Sequence, residues 1–169
     1  MIFIIKCIYF MLPAYFANMA PVIVKKSFKK LAIPVNEKIF GKNKTYRGLI
    51  FGILFAIIIA FAQYLAYSPL SYLYFFDYSN WLELGFLIGS GAVFGDLIKS
   101  FFKRMLGYKP GQPFVPFDQI DFVIGALLFV SLVFELTIEM IVTIIITSFI
   151  LHILVNHAAY YLKIRNEKW

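Results

Sequence analysis

The stretch Leu49-Ile-Phe-Gly-Ile-Leu-Phe-Ala-Ile-Ile-Ile-Ala-Phe-Ala62 is almost continuously apolar and shows no alternation of apolar and polar residues. Membrane barrel strands alternate with a period of two, so this run predicts a helix, which satisfies every backbone N–H and C=O group internally. The chain as a whole is 62% hydrophobic and 15% charged, against roughly 45–50% apolar residues in soluble domains. The sequence therefore predicts an all-α integral membrane protein.

Four further apolar runs lie on either side of this one, and about 20 residues are needed to cross a bilayer. The predicted spans are residues 2–24, 48–67, 81–98, 118–134 and 138–162, in a single membrane-embedded domain over 1–169. The fourth run is short, and Glu135 and Glu139 mark a tight turn after it. The alternative is one bent helix that covers the last two runs, which gives four spans.

The placement of basic residues favours five spans. The first loop, from Lys25 to Arg47, and the third, from Lys99 to Lys109, are rich in lysine and arginine, whereas the 68–80 loop has neither. A third basic cluster follows the last span, at Lys163, Arg165 and Lys168. With five spans all three clusters lie on one side, which predicts the N-terminus outside, the C-terminus in the cytoplasm, and two cytoplasmic loops that form the polar site. The net charge of +7 is then explained by topology and anionic lipid rather than by nucleic acid.

Carboxylates at the inner membrane edge are the most informative residues, because a buried charge is costly unless it is paired or functional. If span three continues as a helix, Asp96, Ser100, Lys103 and Gly107 share one face. Asp118 and Asp121, at i and i+3 on a helix start, also share a face and offer oxygen ligands to a hard cation. The alternatives without a metal ion are an ion pair of Asp96 with Lys99 or Lys103, and simple N-terminal helix capping by Asp118 and Asp121. We predict that Asp96, Asp118 and Asp121 bind a metal ion.

Other polar residues are expected near the same depth. The segment Gly41-Lys-Asn-Lys-Thr-Tyr-Arg-Gly48 is dense in hydrogen-bond donors that suit a polyphosphate, although taken alone it is better explained as a positive-inside charge run. Within the spans, polar side chains at Asn18, His152 and Asn156 predict an inner-face pocket, with helix-to-helix hydrogen bonding as the alternative. Cys7 is the only cysteine, which excludes a disulfide.

Five blocks of this sequence together resemble the CDP-archaeol synthase family, the archaeal relatives of CDP-diacylglycerol synthases. The blocks are Pro13-Ala-Tyr-Phe-Ala-Asn-Met-Ala-Pro21, Gly41 to Gly48 as quoted, Gly95-Asp96 leading to Ser100-Phe-Phe-Lys-Arg104, Asp118-Gln-Ile-Asp-Phe122, and Leu151-His152 leading to Asn156. The signature of the wider CDP-diacylglycerol synthase group has a Ser-x-x-Lys-Arg element and ends in two aspartates three residues apart. Both parts are matched here, by Ser100, Lys103 and Arg104 and by Asp118 and Asp121. The His-Gly-Gly piece of that wider pattern is replaced by Pro110-Gly-Gln-Pro113, which favours the archaeal ether-lipid branch.

The resemblance implies a cytidylyltransferase that joins CTP to 2,3-bis-O-(geranylgeranyl)-sn-glycerol 1-phosphate with Mg²⁺, releasing pyrophosphate at the cytoplasmic face of the cell membrane. The expected catalytic residues are Lys103, Asp96, Asp118 and Asp121. The expected substrate-binding residues are Asn18, Lys42, Asn43, Lys44, Thr45, Arg47, Ser100, Arg104, Lys109, His152 and Asn156. The expected partners are CTP, an isoprenoid ether lipid phosphate and the bilayer, without nucleic acid. A small transporter or channel for an anionic solute, or a non-catalytic membrane scaffold, are the alternatives.

Overall fold

The computed structural model describes residues 1–109, 112–161 and 163, and these residues form helices and turns without a strand. The helices are α1 (Ile2–Phe10), α2 (Leu12–Ile23), α3 (Glu37–Phe40), α4 (Tyr46–Leu65), α5 (Tyr67–Leu70), α6 (Trp81–Met105), α7 (Phe117–Val130) and α8 (Ile138–Tyr161), with 3₁₀ turns at Lys29–Leu31 and Ser71–Leu73. The all-α prediction is confirmed. The predictions for Pro110, Arg165 and Lys168 lie outside the described residues.

Within the described part of the chain, three helices are long and apolar enough to cross a membrane: α4, α6 and the Ile138–Ala158 part of α8. Helices α1 and α2 meet this criterion only together, and they are bent by 45° relative to each other. A multi-helix membrane protein is therefore confirmed. The five-span count remains a prediction, because α7 has 14 residues, and about 1.5 Å of rise per residue leaves it short of a roughly 30 Å hydrocarbon core.

The predicted span over residues 2–24 consists of two helices, α1 and α2. The break lies at Met11, directly before the first turn of α2, which contains Pro13. A proline inside a helix has no N–H to donate and its ring clashes with the carbonyl four residues earlier, whereas in a first turn both problems disappear. The chain therefore ends one helix and starts another at this proline.

Helix α6 continues past the predicted span to Met105, which confirms that span three extends as a helix. Gly107 does not share the face of Asp96, because it lies beyond the end of α6 with a φ of +78°. A positive φ is a conformation that glycine adopts without the steric cost of a side chain. The four-residue face predicted from the sequence therefore ends at Lys103.

Glycines on α6 allow very close approach to its two neighbours. A Cβ on Gly89 would lie 2.7 Å from the Ala56 Cβ of α4, and a Cβ on Gly95 would lie 2.2 Å from the Asp121 carbonyl oxygen of α7. A Cβ on Gly125 of α7 would lie 2.1 Å from the Gly91 carbonyl oxygen. These contacts run in opposite chain directions, so α6 is antiparallel to both neighbours. One end of the bundle therefore gathers the start of α4, the last turns of α6 and the start of α7.

Candidate active site

Three carboxylates meet at this end of the bundle around one ammonium group. Lys99 Nζ lies 3.1 Å from Asp96 Oδ1, 3.0 Å from Asp118 Oδ1 and 2.8 Å from Asp121 Oδ2. Asp96 and Lys99 lie one turn apart on α6, and the two other aspartates lie in the first turns of α7. The close contact of the two helices at Gly95 brings these separate turns within ion-pair distance. We call Asp96, Asp118, Asp121 and Lys99 the carboxylate cluster.

A second lysine enters the carboxylate cluster from the loop before α4. Lys44 Nζ donates to Asp96 Oδ2. Two backbone hydrogen bonds hold this loop: the Val35 N–H donates to the Lys44 carbonyl at 2.8 Å, and the Tyr46 N–H donates to the Ile33 carbonyl at 3.0 Å. Thr45 caps α4, because its Oγ1 accepts the Gly48 N–H at 3.2 Å. The predicted site residue Thr45 therefore fixes the start of α4 and, with it, the position of the preceding residue Lys44.

A third lysine approaches from the last turn of α6. Lys103 Nζ donates to both oxygens of Asp118, at 3.1 and 2.9 Å, and to the Gln112 carbonyl oxygen. The Phe114 N–H donates to Asp118 Oδ2 at 2.6 Å. Lys103 is buried, with 7% of its surface exposed. A buried ammonium is stable only when it is paired. Lys103 meets this need by linking the end of α6 to Gln112 and to Asp118 at the start of α7.

The oxygen ligands suit a hard divalent cation, but the described arrangement surrounds an ammonium. Among the described residues, no group of three or more His, Cys, Asp or Glu side chains is arranged to hold a metal ion. Asp121 Oδ2 is nevertheless a buried atom that accepts no hydrogen bond from any described residue, although Lys99 Nζ is near it. Carboxylate oxygens are the ligands that Mg²⁺ takes in proteins. The three carboxylates therefore offer ligand atoms of the type that Mg²⁺ takes, and in the structure the Lys99 ammonium lies between them.

Two clefts open beside the carboxylate cluster and share Asn43 and Lys44. One, about 470 Å³ and open to solvent, is lined by both polar and apolar residues; we call it the mixed cleft, and its lining includes Asn18, Asn43, Lys44, Thr45, Asp96, Ala17, Leu49 and Leu97. The other, about 400 Å³, is mainly cationic; its lining includes Asn43, Lys44, Lys99, Ser100, Lys103 and Arg104. The structure thus combines anion-binding groups, carboxylates and apolar surface at one place.

Comparisons with known proteins agree with this arrangement. The family model described as CarS-like, CDP-archaeol synthase, matches residues 1–169. The chain belongs to the CDP-archaeol synthase family. A CDP-archaeol synthase of Archaeoglobus fulgidus is 35% identical, with 98% of each chain covered. One of Methanocaldococcus jannaschii is 34% identical, with 96% of this chain and 95% of the relative covered.

A solved structure of an intramembrane enzyme for archaeal membrane lipid biosynthesis also resembles this chain. Its TM-score is 0.72 at 30% identity, and the match covers 88% of this chain and 91% of that one. These findings confirm the family predicted from the sequence and the prediction of a CTP-dependent nucleotidyltransferase. Membership in the CDP-archaeol synthase family makes the cluster and its two clefts the candidate active site.

Three of the predicted substrate-binding residues outside α8 are not among those that line the two clefts: Lys42, Arg47 and Lys109. Arg47 donates to the Lys25 carbonyl at 2.9 Å and to the Ser27 carbonyl at 2.8 Å, so its guanidinium ties the end of α2 to the start of α4. Lys42 and Lys109 are exposed. Their roles in substrate binding remain predictions.

Two residues of the cationic cleft make contacts within their own segment. Ser100 Oγ donates to the Asp96 carbonyl oxygen at 2.7 Å. Arg104 Nη2 donates to the Lys109 carbonyl oxygen at 3.4 Å, and its aliphatic stem passes Gly41. Arg104 Nε is buried and donates a hydrogen bond to none of the described residues, so this guanidinium keeps one N–H donor without a partner.

The polar residues of α8 pair with each other one turn apart. His152 Nδ1 and Asn156 Nδ2 are 3.0 Å apart, and the His152 ring centre lies 6.4 Å from that of Phe122. Phe122 directly follows Asp121 on α7, so His152 lies near the first turns of that helix. Asn18, by contrast, lines the mixed cleft together with Asp96.

Lys99 was missed as a site residue, because it was treated as a loop charge and as a possible partner of Asp96. The signal was available, since Asp96 and Lys99 are spaced i, i+3 on a helix. What the sequence does not contain is the packing of α7 against α6, which adds the two other carboxylates around Lys99.

Proposed function

We propose that this chain transfers CMP from CTP to 2,3-bis-O-(geranylgeranyl)-sn-glycerol 1-phosphate, giving the CDP-activated ether lipid and pyrophosphate. The observation that carries the proposal is the joining of three carboxylates and three lysines at one end of apolar helices. Family membership supports this chemistry over that of a transporter.

The reaction brings two polyanions together. An oxygen of the lipid phosphate forms a bond to the α-phosphorus of CTP, while the bond from that phosphorus to the oxygen of the leaving pyrophosphate breaks. The lipid phosphate is already ionised near neutral pH, so positioning and charge stabilisation matter more than a general base. Fixed ammonium groups offset the repulsion and stabilise charge on the leaving group.

The two clefts suit the two substrates. We assign the triphosphate of CTP to the cationic cleft, where Lys99, Lys103 and Arg104 lie together. The lipid phosphate is assigned to the mixed cleft, whose lining combines polar residues such as Asn18 with apolar residues such as Leu49. Lys44 lines both clefts and would contact both substrates.

Asp96, Asp118 and Asp121 are the proposed ligands of Mg²⁺. When bound, the ion supplies Lewis-acid neutralisation of the reacting phosphates. The chain's own contribution is to hold the carboxylates on helix turns that the glycine contact between α6 and α7 fixes, since groups on helices keep their geometry better than loop residues.

We further propose that the protein lies in the cell membrane with its active site on the cytoplasmic side. Basic residues surround the candidate site at Lys25–Arg47 and at the end of α6, as the positive-inside rule requires of cytoplasmic segments.

The proposal is tested by incubating purified protein in lipid nanodiscs with CTP, Mg²⁺ and the ether lipid phosphate, then measuring pyrophosphate. We expect release that requires all three components. Asp121→Asn should lower it at least about a hundredfold, the scale of losing several kcal/mol of charge stabilisation. Glu83→Gln removes an exposed carboxylate at the opposite end of α6 and should leave activity unchanged. Solute flux into vesicles without pyrophosphate release would instead support the transporter.

A further inference from the structure

The three carboxylates of the candidate site are already balanced by three lysines before any substrate arrives. Three carboxylates are in ion-pair contact with the three ammonium groups of Lys44, Lys99 and Lys103. A site with this balance exerts little net attraction on a free divalent cation. Its affinity for a metal ion then depends on which of the ammonium groups stays.

Lys99 differs from the other two lysines in its position. Lys44 contacts Asp96 and Lys103 contacts Asp118, each from one side of the carboxylate cluster, whereas Lys99 contacts all three carboxylates. Its ammonium group therefore has the same three neighbours that a metal ion would take as ligands. The side chain is 14% exposed, so water does little to screen it.

We propose that Lys99 is a resident counter-ion that competes with the divalent cation, so that the cation binds well only together with the phosphates of the nucleotide. This inference rests on the proposed function. Lys99 also lines the cationic cleft assigned to the triphosphate. When phosphates enter that cleft they add negative charge and offer Lys99 another partner, and both effects favour the cation on the carboxylates. Lys99 acts through the metal site and is a positioning residue.

A purely structural role for Lys99 predicts the opposite behaviour. If the ammonium only held the carboxylates together, its loss would scatter the ligands and weaken metal binding. If it competes, its loss leaves a negative cluster that binds the cation more tightly. The direction of the change in affinity separates the two roles without any measurement of turnover.

The experiment measures Mn²⁺ retained by the protein in nanodiscs, by equilibrium dialysis without nucleotide. We expect Lys99→Met to bind Mn²⁺ at least about tenfold more tightly than the wild type, which is about 1.4 kcal/mol. Lys38→Met is the matched control, because it removes the same charge from an exposed position on α3 and should leave the affinity unchanged. Lys99→Arg keeps the charge and should remain weak. An unchanged or weaker affinity in Lys99→Met overturns the proposal.

A second measurement decides the matter where Lys99→Met fails to fold. Wild-type protein should retain at least about tenfold more Mn²⁺ at a subsaturating concentration when CTP is present, after correction for Mn²⁺ bound to CTP in solution. Equal retention with and without CTP overturns the proposal. Pyrophosphate release by the wild type keeps the two hypotheses apart: its absence refutes the proposed function, whereas its presence with unaltered Mn²⁺ binding refutes only the role of Lys99.

Discussion

Asp118→Asn should destabilise the folded protein as well as inactivate it. The Asp118 carboxylate lies about 3 Å from the ammonium groups of both Lys99 and Lys103, and it also accepts the Phe114 N–H. Asparagine keeps an acceptor for that N–H but removes the negative charge. At this distance each pair is worth about 5 kcal/mol at an effective dielectric constant of ~20, before desolvation is subtracted.

The net cost of the substitution is smaller than this sum. Breaking a buried pair by removing one partner costs roughly 3–5 kcal/mol, and the Asp118 side chain is 22% exposed. Lys103 also keeps the Gln112 carbonyl oxygen as a partner. We therefore expect the free energy of unfolding to fall by about 2–3 kcal/mol, mainly because Lys103 is left buried with one charge fewer around it.

The assay is denaturant unfolding in one detergent, followed for Asp118→Asn, Lys103→Met and the double variant. The double variant should be more stable than the sum of the two single losses predicts, by about 1–2 kcal/mol, because it leaves no unpaired charge. Asp77→Asn is the control, since Asp77 is exposed and pairs with Ser79 in the distant 68–80 loop. Strict additivity, or an Asp118→Asn variant as stable as this control, would refute the argument from buried charge.

Three further outcomes are expected from the same geometry. Lys103→Ala should lower kcat strongly, whereas Lys44→Ala should mainly raise the KM for CTP, because Lys103 is buried on a helix and Lys44 is half-buried on a loop; the reverse pattern would place the loop in the catalytic centre. Gly95→Ala and Gly89→Ala should both destabilise the bundle, but Gly95→Ala alone should also weaken Mn²⁺ binding, since its methyl group would push against the Asp121 backbone. A cysteine placed in the 68–80 loop should react with an impermeant thiol reagent added outside intact cells, and labelling of the Lys25–Arg47 loop instead would reverse the topology.

Hydropathy predicted the helices of this fold but not their ends. The run around Leu49–Ala62 needed only its apolar length to be recognised, and α4 contains it whole. The first predicted span is divided at Met11, and Pro13 lies in the first turn of the second helix, where a proline costs least. The fourth ended at Val130, before the predicted residue 134. Average hydropathy does not account for the missing N–H of proline, and it does not mark the residue at which a helix ends in a turn.

The sequence predicts those site residues whose burial at the membrane edge costs free energy. Asp96, Asp118 and Asp121 were identified because carboxylates beside lipid need a reason. Arg47 was placed among the phosphate-binding residues because an arginine in a donor-rich loop looks the same whether it binds a ligand or the backbone carbonyls of Lys25 and Ser27. Lys99 was overlooked because its significance comes from α7, a different helix.

The glycines and the charges of this site are parts of one arrangement. Without a side chain at Gly95 the first turns of α7 lie against α6, and only that approach puts Asp121 within ion-pair distance of Lys99. Three carboxylates held that closely would repel one another, so the approach in turn requires cations between them. Lysines on α6 and on the loop before α4 supply those cations. Because lysine is flexible and singly charged, it stabilises the cluster without substrate and can still move aside when a divalent ion and phosphates bind. Apolar side chains packed into the same space could not be displaced in this way.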